Sequence, residues 1–251
     1  LWLANRFGQG DYLVEKPQKL QWEGIYDPVG VLKDEEEYLR KIEAAKQPVV
    51  AILFHTKLIQ EKNTKHIDCL IKHVRKLGAV PLAIYTDITK NKALGSKGIK
   101  WVMQHYLKRQ GRPLVNAVIN TTAFSVSVLA NPGDGTKMIT ESILNQLGVP
   151  VIQAMTTYFT LEQWEKSLQG IDMMSLSSNV YHPEFDGQII SVPIAYSELI
   201  KDEIGEKRVF LPIEERAEKV CRLAVNWAKL RQIPNQEKKV AIIFHNMPPR
   251  N

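Results

Sequence analysis

The chain has 251 residues, 44% of them hydrophobic and 24% charged, the proportions of a folded domain rather than of a disordered segment. Its net charge of +6, from 33 basic and 27 acidic residues, is spread along the chain with local knots at residues 57–65 and 72–76; a nucleic-acid binder gathers such charge on one element and interleaves aromatics, and that pattern is absent. No apolar run reaches the roughly 20 residues of a membrane span and no signal peptide opens the chain, so a cytoplasmic protein is expected.

Residues 1–46 read as an arm, broken into turns by Pro17, Gly24, Pro28 and Gly30 and closed by a short helix with Asp34 as its N-cap. From Pro48 to Phe54 the sequence is continuously apolar, as a strand covered on both faces requires. A helix over 63–78 follows, because Ile67, Leu70, Ile71, Val74 and Leu77 recur at spacings of three and four and Gly78 supplies a left-handed cap. Next come a strand over 80–85, a helix over 99–109 and a strand over 115–120. A loop with Gly133 and Gly135 leads to a helix over 137–147 ended by Gly148, a strand over 149–153, and a helix over 161–168 opened by Thr160. Glu184, Phe185, Asp186 and Gly187 read as a loop, before an extended run over 188–194. A helix over 213–231 and a strand from Lys239 to His245 are expected to lead into a further α/β unit. Both ends read as interior sequence, so a longer multidomain polypeptide is expected.

Strands alternating with helices at this spacing predict a three-layer α/β domain over 47–200: a mostly parallel sheet with helices on both faces, Rossmann-like or flavodoxin-like. Such sheets bind ligands beyond the carboxyl ends of their strands, where the crossover direction switches. The residues to inspect are therefore His55, Thr56 and Lys57, Thr86 and Asp87, Asn120, Thr121 and Thr122, Gln153, and His245.

The two cysteines, Cys69 and Cys221, are far apart in predicted helices and read as buried structural thiols. Gly8-Gln9-Gly10 lacks the context of a dinucleotide fingerprint, and Gly133 to Lys137 lacks P-loop spacing, so no ATPase centre is expected in this chain. Of six histidines, His66, His73 and His105 fall within helices and read as boundary residues. His55 and His245 each end an apolar strand; as neutral imidazoles they suit cobalt, nickel or zinc, and the alternative is a hydrogen-bonding cap. His182, Glu184 and Asp186 supply an imidazole and two carboxylates within one short segment, able to move protons or hold a divalent ion weakly. The alternative there is a β-turn with Asp186 and Gly187 at its corner. Asn120 to Ser125 can hydrogen-bond substrate carboxylates, or cap a turn.

Gly24-Ile25-Tyr26-Asp27-Pro28, Val50 to His55, Val118 to Ser125, Gly148 to Gln153, Pro183-Glu184-Phe185-Asp186-Gly187, Trp227 to Arg231 and Lys239 to Asn246 with Pro248 follow one another in an order that resembles the CobN and magnesium-chelatase large-subunit family. Asp27 stands where that family commonly has His, and Phe185 where it has Leu. The Phe244-His245-Asn246 ending with Pro248 is more similar to the cobalt-type subunit than to the magnesium type. The resemblance implies a tetrapyrrole substrate, either hydrogenobyrinic-acid-like or a porphyrin, and a divalent metal substrate, Co2+ or Mg2+. It also implies a separate AAA+ ATPase subunit that hydrolyses ATP and a metal-adhesion-domain subunit. By it, Glu184 is the acid/base or metal-handling residue, and His182 stands where the family often has an apolar residue; from their own chemistry and placement, His182 joins Glu184 as a proton-moving candidate, His55, Asn120, Thr121, Thr122, Gln153 and Asp186 are candidates for substrate contact, and His55 and His245 for the metal. Asp186 equally fits a structural role. The chain by itself is expected to lack chelatase activity, since its cleft would be shared with other domains. A ligand-binding module without catalysis, or a docking scaffold, stays open as an alternative.

Overall fold

The computed structural model describes residues 1–14, 21–130, 142–202 and 205–244. Gly133, Gly135, the opening of the expected helix over 137–147, and His245 with the residues after it lie outside the described residues.

Eight strands form one sheet: β1 (Gly24–Asp27), β2 (Gly30–Val31), β3 (Val49–His55), β4 (Val80–Thr86), β7 (Ala117–Asn120), β8 (Val151–Thr156), β9 (Ile189–Asp202) and β10 (Gly205–Pro212); β5 (Lys108–Arg109) and β6 (Arg112–Pro113) make a separate hairpin. The spatial order is β10-β9-β8-β7-β3-β4-β1-β2. Strands β4, β3, β7, β8 and β9 are mutually parallel, and the edges are antiparallel. Counted along the chain, the parallel strands lie in the flavodoxin-like order 2-1-3-4-5, whose crossover direction reverses between β3 and β7.

The apolar runs form strands because both faces are covered. In β3, Val50, Ile52 and Phe54 enter one core with helices Lys65–Lys76 and Glu214–Gln232. Val49, Ala51 and Leu53 enter the other, beneath helix Glu35–Ala44, the helical segment 99–107 and Leu144–Leu147. The expected caps are in place: Gly78 has φ +80° and Gly148 φ +60°, where a side chain would strain the backbone. Thr160 closes a capping box with Gln163.

Three expectations are corrected. The helix beginning at Ile99 ends in a wide turn over Met103–Leu107, because Gln110 and Gly111 both take positive φ and fold residues 108–113 into a hairpin. The loop expected at Glu184–Gly187 is helical in its first half, as Met173–Leu176, Ser177–Tyr181 and His182–Phe185 run on with Asp172 as N-cap, while Asp186 and Gly187 form a turn. Finally, helix Glu214–Gln232 packs on this sheet, burying Ala217, Val220, Cys221, Ala224, Val225 and Ala228; its small side chains let it lie against helix Lys65–Lys76. Residues 239–244 pair with no strand, and Val240, Ile242, Ile243 and Phe244 are exposed. Among the described residues no helix is long and apolar enough to cross a membrane.

Candidate functional site

The switch between β3 and β7 is closed by a buried amide network. Asn120 Nδ2 donates to Gln153 Oε1 at 2.9 Å and to Gln188 Oε1 at 3.0 Å, while Gln153 Nε2 donates to the Thr122 carbonyl at 3.0 Å. Thr122 returns its N–H and hydroxyl to Asn120 Oδ1, and Thr121 Oγ1 donates to the Leu53 carbonyl. Asn120 and Gln153 are wholly inaccessible. These residues stitch β7, β8 and β9 together instead of presenting polar groups to a ligand. Gln153 does not end its strand: β8 continues to Thr156.

At the neighbouring strand ends, His55 Nδ1 accepts from the Lys57 N–H at 3.0 Å and its Nε2 lies 3.7 Å from Asp87 Oδ1. Burial lowers the His55 pKa, and the Asp87 carboxylate opposes that shift. A half-exposed neutral imidazole results.

The helical segment 173–185 lies across the ends of β7 and β8. Its capping residue Asp172 accepts from Thr157 Oγ1, the Tyr158 N–H and both the N–H and hydroxyl of Ser175. Burial works to raise the Asp172 pKa, but those donors carry it below the usual carboxylate range. The Phe124 N–H donates to the Ser178 carbonyl at 2.6 Å, fastening the loop after β7 to the same segment.

The segment does not gather His182, Glu184 and Asp186 into one ligand set. Asp186 points inward, accepting from Ser125 Oγ at 3.0 Å, the Val126 N–H at 2.6 Å and the Ser127 N–H at 3.2 Å. His182 Nδ1 meets the Ser177 carbonyl at 2.8 Å. Glu184 alone faces solvent. Glu184 and His55 share neither a hydrogen bond nor an ion pair.

The helical segment that carries Glu184 also carries rings in contact with the loop after β7. The rings of Phe124 and His182 lie 5.7 Å apart, and those of His182 and Phe185 6.5 Å apart. Phe124 and Phe185 are 47% and 73% exposed, large values for apolar rings. Phe124 also has φ +68°, a conformation a bulky side chain adopts only when its surroundings enforce it. At the other end of the segment, Met174 borders a cavity of about 1030 Å³ lined also by Tyr158, Asp172, Ser197 and Arg208. Arg208 donates to Ser197 Oγ at 2.6 Å, and its guanidinium sits 5.3 Å from the Tyr158 ring centre. Another cavity, of about 980 Å³, lies by β1 among Glu23, Glu35, Lys97, Trp101 and Tyr106, with its Glu23 wall beside the carboxyl end of β4.

Tyr158, Asp172 and Arg208 carry no signal in the sequence analysis, and Phe124 stands there only as part of the Asn120 to Ser125 segment. Tyr158 would have been found had β8 been carried through to Thr156. No pattern in the sequence signals the positive φ of Phe124.

Fold and site together define a doubly wound α/β domain with a carboxylate-bearing aromatic shelf over its strand ends. A family model described as CobN/Magnesium Chelatase matches residues 1–251, and the chain belongs to that family. It is 35% identical over its whole length to the uncharacterized protein MJ0908 of Methanocaldococcus jannaschii, and covers 21% of that protein. With the aerobic cobaltochelatase subunit CobN of Pseudomonas aeruginosa it shares 30% identity over 99% of the chain and 19% of that subunit. The solved catalytic subunit of cobaltochelatase from Mycobacterium tuberculosis shares the fold, with a TM-score of 0.62 and 21% identity over 92% of this chain and 18% of that one. The chain thus spans about a fifth of the length of the relatives it matches.

Proposed function

We propose that the shelf formed by Phe124, His182, Phe185 and Glu184 handles the tetrapyrrole ring of a metal chelatase, the metal being Co2+ and the ring of the hydrogenobyrinic-acid type. The observation that carries this reading is an exposed aromatic surface and a solvent-facing carboxylate, Glu184, on one helical segment at the strand ends of a chelatase-family domain. A tetrapyrrole offers a flat apolar face and acidic side chains. Rings at the shelf suit its face; in the cavity at the other end of the segment Arg208 would take one of its carboxylates, set among Glu162, Glu165, Asp172 and Glu198, which hold off further acidic groups.

Metal insertion exchanges two pyrrole N–H protons for one divalent ion, so a base must stand at the ring. Glu184 is placed to take such a proton and pass it to water, while His182, held by the Ser177 carbonyl, orients the shelf. His55 with Asp87 is a second group able to touch the incoming ion, reached from the β3 and β4 ends. The amide network and Asp186 are scaffolding for these positions. On the family resemblance, ATP hydrolysis is assigned to partner subunits, an AAA+ ATPase and a metal-adhesion-domain protein. The family description also covers magnesium chelatases, which makes Mg2+ insertion into a porphyrin the second reading.

The test is Glu184→Gln in the full-length protein assembled with its partners. Ring binding, read from the shift of ring absorbance, is expected to persist while insertion slows by about 10²–10⁴-fold. Unchanged turnover would remove Glu184 from the chemistry and favour a ligand-binding module. Supplying Co2+ with the corrin precursor and Mg2+ with a porphyrin, side by side, decides the metal.

A further inference from the structure

A different group of side chains, on the sheet face covered by helices Lys65–Lys76 and Glu214–Gln232, converges as metal ligands do. Cys69 and His73 are one helical turn apart, so both project from the same side of their helix. Glu214, the first residue of the other helix, brings its carboxylate to both. Cys69 Sγ lies 3.2 Å from Glu214 Oε2, His73 Nε2 lies 3.2 Å from Oε1, and ligand atoms of all three fall within 4.8 Å of one another. A tetrahedral ion with bonds of roughly 2.0–2.3 Å holds its ligands about 3.5 Å apart, so small movements would admit one.

We propose that Cys69, His73 and Glu214 bind a single divalent cation of borderline softness, zinc or cobalt(II), with water in the fourth position. Thiolate, imidazole and carboxylate together select such ions over magnesium or calcium. Charge supports the assignment. Cys69 is 6% exposed and His73 3%, so a charged ligand there needs compensation, and one thiolate plus one carboxylate neutralise a divalent ion. Without the ion, that carboxylate is instead shared by the thiol proton, His73 and the Lys72 ammonium at 2.9 Å. The Lys72 side chain is largely exposed and free to swing into solvent, which opens the route in. Binding replaces the Sγ–H bond by an Sγ–metal bond and releases that proton to water, while the His73 proton that faces Glu214 moves from Nε2 to Nδ1 and frees the Nε2 lone pair for the ion.

Burial and the Glu214 carboxylate push the Cys69 thiol up to about 12, so the proton competes with the ion across the accessible pH range. His73 Nδ1 is buried without a partner, and a ligating imidazole lacking its outer hydrogen bond typically binds 10–100-fold more weakly. A site that exchanges its ion is expected.

The experiment is a cobalt(II) titration of the intact protein, read as difference spectra against Cys69→Ser. One equivalent should give a near-ultraviolet thiolate-to-cobalt band together with visible bands of a four-coordinate ion, both bleached by zinc. The band should disappear in Cys69→Ser, persist in Cys221→Ser, weaken by about tenfold or more in Glu214→Gln, and strengthen in Lys72→Ala, which removes the competitor. Glu214 is exposed, so Glu214→Gln tests the site even if Cys69→Ser fails to fold. No thiolate band, or an unchanged band in Glu214→Gln, overturns the proposal. The ring-handling reading stands apart from this result, since Glu184→Gln should leave the cobalt spectrum as it is.

Discussion

The backbone N–H of Val126 donates to Asp186 Oδ2 across 2.6 Å, so a carboxylate from the end of one helical segment caps the start of helix Val126–Ala130, 60 residues away in the chain. Ser125 Oγ adds a second bond to the same buried group. Asp186→Ala withdraws the acceptor from these two and from the Ser127 N–H, and hydrogen bonds to a charged group are worth roughly 1.5–3 kcal/mol each. A loss of about 2–4 kcal/mol is expected in urea unfolding at unchanged m-value, and about half of that for Asp186→Asn. Ring affinity per folded molecule should not change. A fall in affinity without loss of stability would instead place Asp186 against the substrate.

That residue also shows where sequence reasoning stops. The sheet was legible because β3, β4, β7 and β8 are buried on both faces and therefore written in unbroken apolar residues. The segment 173–185 was not, because its buried positions are Ser175, Ser178, Asn179 and Pro183, and a helix seated on polar strand ends carries no hydrophobic period. Asn120 and Gln153 were identified as polar residues near strand ends, but polarity does not tell a residue that faces a ligand from one that pairs with its neighbour. Glu184 and Asp186, two positions apart, face opposite ways for the same reason: helical geometry, invisible in a segment read as a loop, turns one out and one in.

Phe124 offers a test that separates strain from function. A bulky residue in the left-handed region costs about 1–2 kcal/mol, which glycine does not incur. Phe124→Gly should therefore be more stable than Phe124→Ala, the reverse of the usual order, as read from thermal midpoints. Both variants lose the ring beside His182, and tetrapyrrole affinity should fall about 2–10-fold in each. Equal affinity in wild type and variants would take Phe124 out of the shelf.

Arg208 is anchored by Ser197 Oγ and, at 3.3 Å, by the Tyr158 carbonyl, which holds its guanidinium at the cavity wall. Arg208→Ala should weaken binding of a carboxylate-bearing ring by about tenfold at low salt and by less at high salt, where the charge is screened. Arg208→Lys, lacking the planar fork, should recover only part of the loss. A fully esterified ring should bind wild type and Arg208→Ala alike, and a persisting difference between them would show that Arg208 acts through packing.

His66 sets an acid limit on the fold. It is fully buried, its ring meets Phe210 edge-on at 5.8 Å, and burial depresses its pKa to about 4 from an ordinary value of 6.5. Between those values the unfolded chain takes up a proton that the folded chain refuses. Stability contributed by neutral His66 is therefore complete above about pH 6.5 and drains away as pH falls toward 4, below which both states are protonated and the loss levels off. The full span corresponds to about 3 kcal/mol. His66→Leu keeps an apolar contact with Phe210 and has no proton to bind, so the difference in unfolding free energy between variant and wild type should shift in the variant's favour by about that amount from pH 7 to pH 4. Parallel pH profiles for the two proteins would mean that His66 becomes protonated in the folded state, with water reaching its ring.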